Sequence, residues 1–275
     1  MNIQKSIDLL KRTEQLALEY SPDGFHLAFS GGKDSQCLYH IAQMAGVKFK
    51  AHYPLTTLDP PELVRFIKDN YPDVIIHRPK MTFLQLCLKK HILPTQKMRF
   101  CCAELKESAG VNTVTLTGVR RAESVKRSKR NGVEVSNHKF SGTIDQFNRE
   151  KESEIICVSG NDKIIVNPII DWTDKDVWTF LNKVVKVPHC TLYDEGWHRI
   201  GCLFCPMASL KELRRMEVRY PRYKAAFLRT IRKLREGNWL NDYPDATDEE
   251  VFQWWLSKRN AKAFFGDLKN QMKLF

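Results

Sequence analysis

One hexapeptide, Ser30-Gly31-Gly32-Lys33-Asp34-Ser35, constrains the fold of this chain more than any other stretch. It follows a short apolar run, Phe25–Phe29, which reads as a buried strand. It opens a helical pattern that continues to about Ala45. Strand, glycine turn and helix N-terminus in that order build an anion site. The glycines let the backbone turn tightly and approach a phosphate closely. The helix start supplies free N–H groups and the positive end of the dipole. Ser30 and Ser35 add hydroxyl donors, and Lys33 adds a charge. The loop is not a Walker A sequence, which needs four residues between its first Gly and its Gly-Lys pair, nor a Gly-x-Gly-x-x-Gly turn. A plain glycine turn at a strand end would not require Ser, Lys, Asp and Ser together.

The rest of the chain repeats this alternation. Phe49–Tyr53, Val74–His77 and Thr113–Leu116 read as further strands. Pro60–Asn70 and Thr82–Lys89 read as helices. Glu154–Val158 and Lys163–Val166 read as a hairpin around Ser159–Asp162, and Asp171–Asp174 caps a helix through Lys183. Beyond Met207 the pattern is helical, with a break at Asn241–Thr247. Strands alternating with helices predict an α/β fold, a parallel twisted sheet with helices on both faces. The helical end predicts a C-terminal helical region, and a domain boundary near 205 separates residues 1–205 from 206–275. No stretch approaches the ~18 consecutive apolar residues of a membrane span. The N-terminus has no apolar signal region, so a cytoplasmic location without membrane attachment is expected.

The net charge of +12 is local. Residues 119–139 carry seven basic against two acidic residues, a net of +5, and residues 206–240 carry ten against three, a net of +7. Everything else balances. Arg120, Arg121 and Arg127 follow Gly118 at the end of the fourth strand, where guanidinium forks suit a phosphate or sulfate. In the second segment Tyr220, Tyr223 and Phe227 interleave with the bases, a pattern that suits nucleic-acid backbone and base stacking, or else a helix packed on its core. Leu55–Glu62 follows the second strand, at the end where open α/β sheets bind ligands. Thr56, Thr57 and Asp59 there either contact a nucleoside or cap the next helix.

Of the 8 cysteines, four come in two pairs: Cys101-Cys102 and the Cys-x-x-Cys of Cys202 and Cys205. Such pairs suit a tetrahedral zinc or a 4Fe–4S cluster, and spacing does not choose between them. Cys37, Cys87, Cys157 and Cys190 lie in apolar contexts and read as buried structural residues.

The loop at Ser30–Ser35 resembles the pyrophosphate loop of the adenine nucleotide alpha-hydrolase superfamily, and later segments resemble its phosphoadenosine phosphosulfate (PAPS) reductase family. Those segments are Arg99-Phe100-Cys101-Cys102 with Lys106, and Gly118 to Ser124 with Arg127. Pro168–Trp172 with Asp176-Val177-Trp178, and Leu192 to Pro206, complete the set. The resemblance implies an adenosine nucleotide at Ser30–Ser35, Thr56, Thr57, Asp59, Gly118, Arg120, Arg121 and Arg127, with Mg2+ offsetting phosphate charge. It implies that Lys33, Asp34 and Arg120 act on the reacting group. It favours a 4Fe–4S cluster on Cys101, Cys102, Cys202 and Cys205, with zinc as the alternative.

Three functions are expected in order. The first is cleavage of ATP that adenylates an acceptor, releases pyrophosphate and prepares sulfur transfer. The acceptor would be tRNA or DNA held through residues 206–240, with a separate sulfur donor. The second is reduction of a sulfonucleotide (phosphoadenylyl or adenylyl sulfate) to sulfite with a thioredoxin-like reductant. No cysteine follows Cys205, so the tail thiol of such reductases has no counterpart here. The third is a non-catalytic nucleotide- and nucleic-acid-binding module with a structural metal.

Overall fold

The computed structural model describes residues 1–107, 110–136, 141–143 and 163–272. The expected strand at 154–158, its turn, Lys139 and Cys157 lie outside the described residues. The chain forms two compact units. One comprises Met1–Pro54, Pro61–His77 and Ser108–Ile200; the other comprises Leu55–Pro60, Arg78–Glu107 and Gly201–Phe275.

The first unit is built on one sheet. Its strands are β1 (Phe25–Ala28), β2 (Phe49–Pro54), β3 (Ile75–His77), β4 (Val114–Leu116), β5 (Val133–Ser136), β6 (Ser141–Thr143) and β7 (Lys163–Val166). They lie in the order β3-β2-β1-β4-β7-β5-β6. β3, β2, β1, β4 and β7 run parallel, while β5 is antiparallel to both β7 and β6. The fold is therefore α/β with a mostly parallel sheet, as the alternation predicts. β7 is present but pairs with β4 and β5 in the sheet interior. β5 falls in the basic stretch, where the charge pattern hides a strand whose Val133 is completely buried.

Apolar strand residues fill the middle of this unit: Leu27, Val114, Leu116 and Val166 have no exposed surface. Helix Ile3–Tyr20 packs along helix Lys33–Ala45, burying Leu10 and Ala17. The second helix stops at Gly46, whose φ of 69° completes a left-handed cap. β1 has β2 on one side and β4 on the other, so the chain direction of assembly reverses between β1 and β4. The loops after these two strands flank the crevice where doubly wound sheets bind ligands.

The second unit is helical. Helices Phe83–Lys90, Leu210–Arg219, Pro221–Glu236, Asp248–Ser257 and Ala261–Met272 make up most of it. Capping boxes at Thr82/Gln85, Ser209/Glu212 and Thr247/Glu250 fix three of the starts. Phe204, Phe227, Phe252 and Trp255 form its aromatic centre, with ring centroids 5.2–6.1 Å apart. The contiguous boundary expected at 205 is thus replaced. The break falls at 200/201, and two connectors leaving the sheet, 55–60 and 78–107, join the helices. A composition shift along the chain cannot reveal such discontinuous membership. Among the described residues no helix is long and apolar enough to cross a membrane.

Candidate functional site

The phosphate loop lies wholly in the first unit. Gly31 has φ 70°, and a Cβ there would come within 2.7 Å of the Ile67 side chain and 2.8 Å of Leu63, so only glycine fits. Ser35 Oγ donates to the Gly32 carbonyl at 2.9 Å and accepts from the Ser30 amide at 3.2 Å. The Ser30 and Ser35 hydroxyls lie 3.1 Å apart. The two serines therefore clamp the turn. Lys33, Asp34 and Ser35 open the helix, so their amides have no intrahelical carbonyl to bond. Gly118, at the end of β4, lies against the same helix start: a Cβ on it would be 3.0 Å from the Asp34 carbonyl oxygen.

Four charged groups stand behind the loop. Lys33 is 6% exposed and Arg120 only 2%. Arg120 Nε donates to Asp34 Oδ1 at 2.7 Å, its Nη2 to Asp174 Oδ1 at 2.9 Å, and its Nη1 to the Trp172 carbonyl at 3.3 Å. Lys33 Nζ is 3.2 Å from Asp174 and 3.6 Å from Asp34. Desolvation pushes the Asp174 carboxyl up, but the charges of Lys33 and Arg120 outweigh it and leave its pKa lowered. Two cations and two carboxylates thus form a balanced network. Asp34, paired with both Arg120 and Lys33, positions the Arg120 guanidinium.

The other expected arginines have protein partners as well. Arg121 pairs with Asp171 and donates to the Arg130 carbonyl at 2.9 Å. Arg127 pairs with Glu123, and Glu123 also accepts from the Arg120 amide at 3.0 Å. Desolvation, helped by the nearby Arg199 and Arg130 charges, lowers the pKa of Arg127.

Tyr193 lies in a segment that resembles the family, but the sequence did not place it at the loop. Its hydroxyl accepts a hydrogen bond from the Lys33 amide at 2.9 Å. An aromatic in a Leu-Tyr-Asp turn gives no local signal of that long-range contact.

The second unit gathers the two cysteine pairs. Cys101 and Cys102 sit on one helical turn, Phe100–Cys102, which continues into a π-helical Ala103–Glu107. Neighbours in a helix are about 100° apart, so both thiols can face one side, as strand neighbours cannot. Between Cys202 and Cys205 the side chains of Leu203 and Phe204 are buried to 1% exposure. The Leu203 amide donates to the Leu58 carbonyl at 2.7 Å. That anchoring leaves the two flanking thiols half-buried and near the other pair.

Polar groups converge on these sulfurs. Thr56 Oγ1 is 3.4 Å from Cys202 Sγ, and Arg99 Nη2 is 3.5 Å from Cys102 Sγ. Cys101 donates to Cys102; this bond, assisted by Arg99 and Lys106, lowers the Cys102 pKa and raises that of Cys101. Burial raises Cys205. Lys106 is exposed by surface area, yet protein surrounds its ammonium. That desolvation pulls its pKa down, but the charges of Cys202 and Asp59 outweigh it and the net shift is upward. Four thiols with two cations beside them fit an anionic thiolate-bound cluster. Among the described residues no three His, Cys, Asp or Glu side chains converge on one ion-sized point.

Thr56, Thr57 and Asp59 belong to this second unit. The Thr56 amide and hydroxyl donate to Asp59 Oδ2 at 2.6 and 2.8 Å, and Thr57 Oγ1 accepts from the Phe83 amide at 2.9 Å. Two of the three aromatics of the C-terminal basic segment point inward: Tyr220 is 5% exposed and Phe227 fully buried, which removes them as base-stacking platforms, while Tyr223 is half-buried. Lys224 pairs with Glu217 and Glu249, and Arg232 and Arg235 pair with Asp248. Lys211, Arg214, Arg222, Arg229 and Lys233 are exposed. Cys37, Cys87 and Cys190 are fully buried, as expected.

Residues 24–208 match the model of the phosphoadenosine phosphosulfate reductase domain. The chain belongs to that family. An uncharacterized protein of Methanocaldococcus jannaschii is 27% identical over 79% of this chain and 50% of its own length. An adenosine 5'-phosphosulfate reductase of Lysinibacillus sphaericus is 27% identical over 56% of this chain and 60% of its own. The chain thus spans about half the length of the first of these relatives. A phosphoadenylyl-sulfate reductase structure from Candida auris has a TM-score of 0.48 at 17% identity, covering 73% of this chain and 89% of that one.

Proposed function

We propose that this chain binds an adenosine nucleotide by its phosphates at Ser30–Ser35 and uses that site to cleave ATP. An acceptor oxygen attacks the α-phosphorus, the bond to the bridging oxygen breaks, and pyrophosphate leaves. The observation that carries the reading is the clamped glycine loop at a helix start whose Asp34 and Ser35 amides have no intrahelical partner, backed by a buried Lys33. The amides and the Ser30 hydroxyl hold the departing phosphates. Lys33 turns from Asp174 towards them, while Arg120 keeps Asp34 and Asp174 in place and neutral overall. Mg2+ would offset the remaining phosphate charge.

Cys101, Cys102, Cys202 and Cys205 would hold a 4Fe–4S cluster, with Lys106 and Arg99 offsetting its negative charge. When bound, such a cluster supplies a redox-active, sulfur-handling centre. The acceptor is proposed to be tRNA or DNA, met by the exposed Lys211, Arg214, Arg222, Arg229 and Lys233 as phosphate contacts only. The activity is placed in the cytoplasm, with a separate sulfur donor.

A second reading is favoured by the relatives named adenosine 5'-phosphosulfate reductase. In it the loop holds the phosphosulfate of a sulfonucleotide and a thioredoxin-like protein supplies the thiol. The anaerobically purified chain, given ATP plus tRNA or DNA, should release pyrophosphate. Sulfite from a sulfonucleotide plus reduced thioredoxin, without pyrophosphate in the first assay, would replace the first reading with the second.

A further inference from the structure

The phosphate loop receives a side chain from the turn region 190–197, about 160 residues downstream. That turn is tied to itself by Tyr193 N–H to the Cys190 carbonyl at 3.0 Å and Trp197 N–H to the Leu192 carbonyl at 3.1 Å. Cys190, Leu192 and Trp197 are buried, so the turn is anchored on three sides. The Tyr193 ring meets Trp178 edge-on at 5.0 Å and His189 at 6.1 Å. His189 is in turn held by Asp194 at 2.9 Å. The phenol therefore has a fixed ring and a fixed hydroxyl position.

That hydroxyl accepts from the first amide of the loop helix and still carries its own proton. Among the described residues its proton has no acceptor. Burial keeps the phenol protonated, its pKa raised further from neutrality. A phenol at a helix N-terminus, with a donor to spare, is arranged to donate to a ligand.

We infer that Tyr193 is a phosphate-binding residue of the loop: its hydroxyl relays the Lys33 amide to the ligand, accepting from Lys33 N–H and donating to a phosphoryl oxygen. The ligand class is a pyrophosphate or phosphosulfate group. The inference rests on the reading of Ser30–Ser35 as a phosphate site. A chained hydrogen bond of this kind strengthens each link, and it extends the donor set beyond backbone and serine without moving the turn.

The test is equilibrium titration of the full chain with inorganic pyrophosphate and with ATP, comparing wild type with Tyr193→Phe. The ring and its packing survive this change, which the urea unfolding midpoint checks. Both ligands should bind about tenfold or more weakly to the variant. Gly32→Ala is a second probe: its Cβ would lie 3.3 Å from the Tyr193 hydroxyl and 3.5 Å from Ser30 Oγ. It should also weaken pyrophosphate binding. Equal affinity in Tyr193→Phe would remove the hydroxyl from the site. Tighter binding would show that it competes with the ligand, and would equally overturn the inference. If wild type binds neither ligand, the reading of the loop itself fails, an outcome distinct from loss of Tyr193 alone.

Discussion

The two candidate centres are built in opposite ways. The phosphate loop is finished by the protein's own groups. Glycine geometry, serine clamps and a balanced quartet of Lys33, Arg120, Asp34 and Asp174 define it without a ligand. The thiol site is gathered but not closed. Its four sulfurs face Arg99 and Lys106, with Asp59 as the nearby carboxylate. A site closed by its own ion pairs should tolerate loss of its ligand. A site that collects thiols and cations needs the guest to complete it.

The largest expected effect follows from that second case. Cys101→Ser, Cys102→Ser, Cys202→Ser or Cys205→Ser should each abolish the bound iron and the brown colour of the anaerobically purified chain. Iron analysis checks this, and a variant that keeps a full iron load would strike that cysteine from the ligand set.

Arg120→Met probes the balanced quartet. It leaves Asp34 and Asp174 facing each other with Lys33 as their remaining cation. A fully buried pair broken this way costs ~3–5 kcal/mol. Asp174 is largely exposed, so about 2 kcal/mol is expected in urea unfolding. A loss below ~0.5 kcal/mol would mean that the network does not hold the loop.

A pH-dependent effect belongs to the sheet of the first unit and not to either centre. His26 on β1 stacks on His52 of β2 at 4.1 Å, and His52 Nδ1 lies 2.8 Å from His77 Nε2 on β3. Desolvation, then the charges of His52, Lys163 and His77, lowers the His26 pKa to about 3. A folded-state pKa below the unfolded one means that the unfolded chain binds more protons between the two values. Stability is therefore present above pH ~6.5 and declines as pH falls towards 3, by at most about 1.4 kcal/mol per pH unit for one group. His26→Phe keeps a ring in the stack and should flatten that slope in unfolding measured from pH 7 to 4. An unchanged slope would place the acid sensitivity elsewhere.

The contrast also explains what the sequence showed. Local grammar sufficed for the loop, because strand, Ser-Gly-Gly-Lys-Asp-Ser and helix are contiguous. The same is true of β1 to β4 and the capped helices, where apolar runs and capping residues lie within a few positions. What was hidden depends on distant partners. β5 is a strand because Val133 and Val135 find β7, although the run is crowded with basic residues. Arg120 reads as an anion ligand until Asp34 and Asp174 arrive from 86 and 54 residues away. Thr56 and Asp59 follow a sheet strand yet join the helical unit. Tyr193 falls in the Leu192–Pro206 segment that resembles the family, yet nothing local ties it to the loop.

The most direct test of the account is a calorimetric titration of ATP into wild type and Lys33→Ala. Lys33 is the one buried cation of the loop itself, and Arg120 remains to hold the two aspartates in the variant. Saturable one-site binding to wild type is expected, with at least tenfold weaker binding to a folded Lys33→Ala. No binding to wild type, or equal binding to both, would contradict the claim that Ser30–Ser35 is a nucleotide phosphate site.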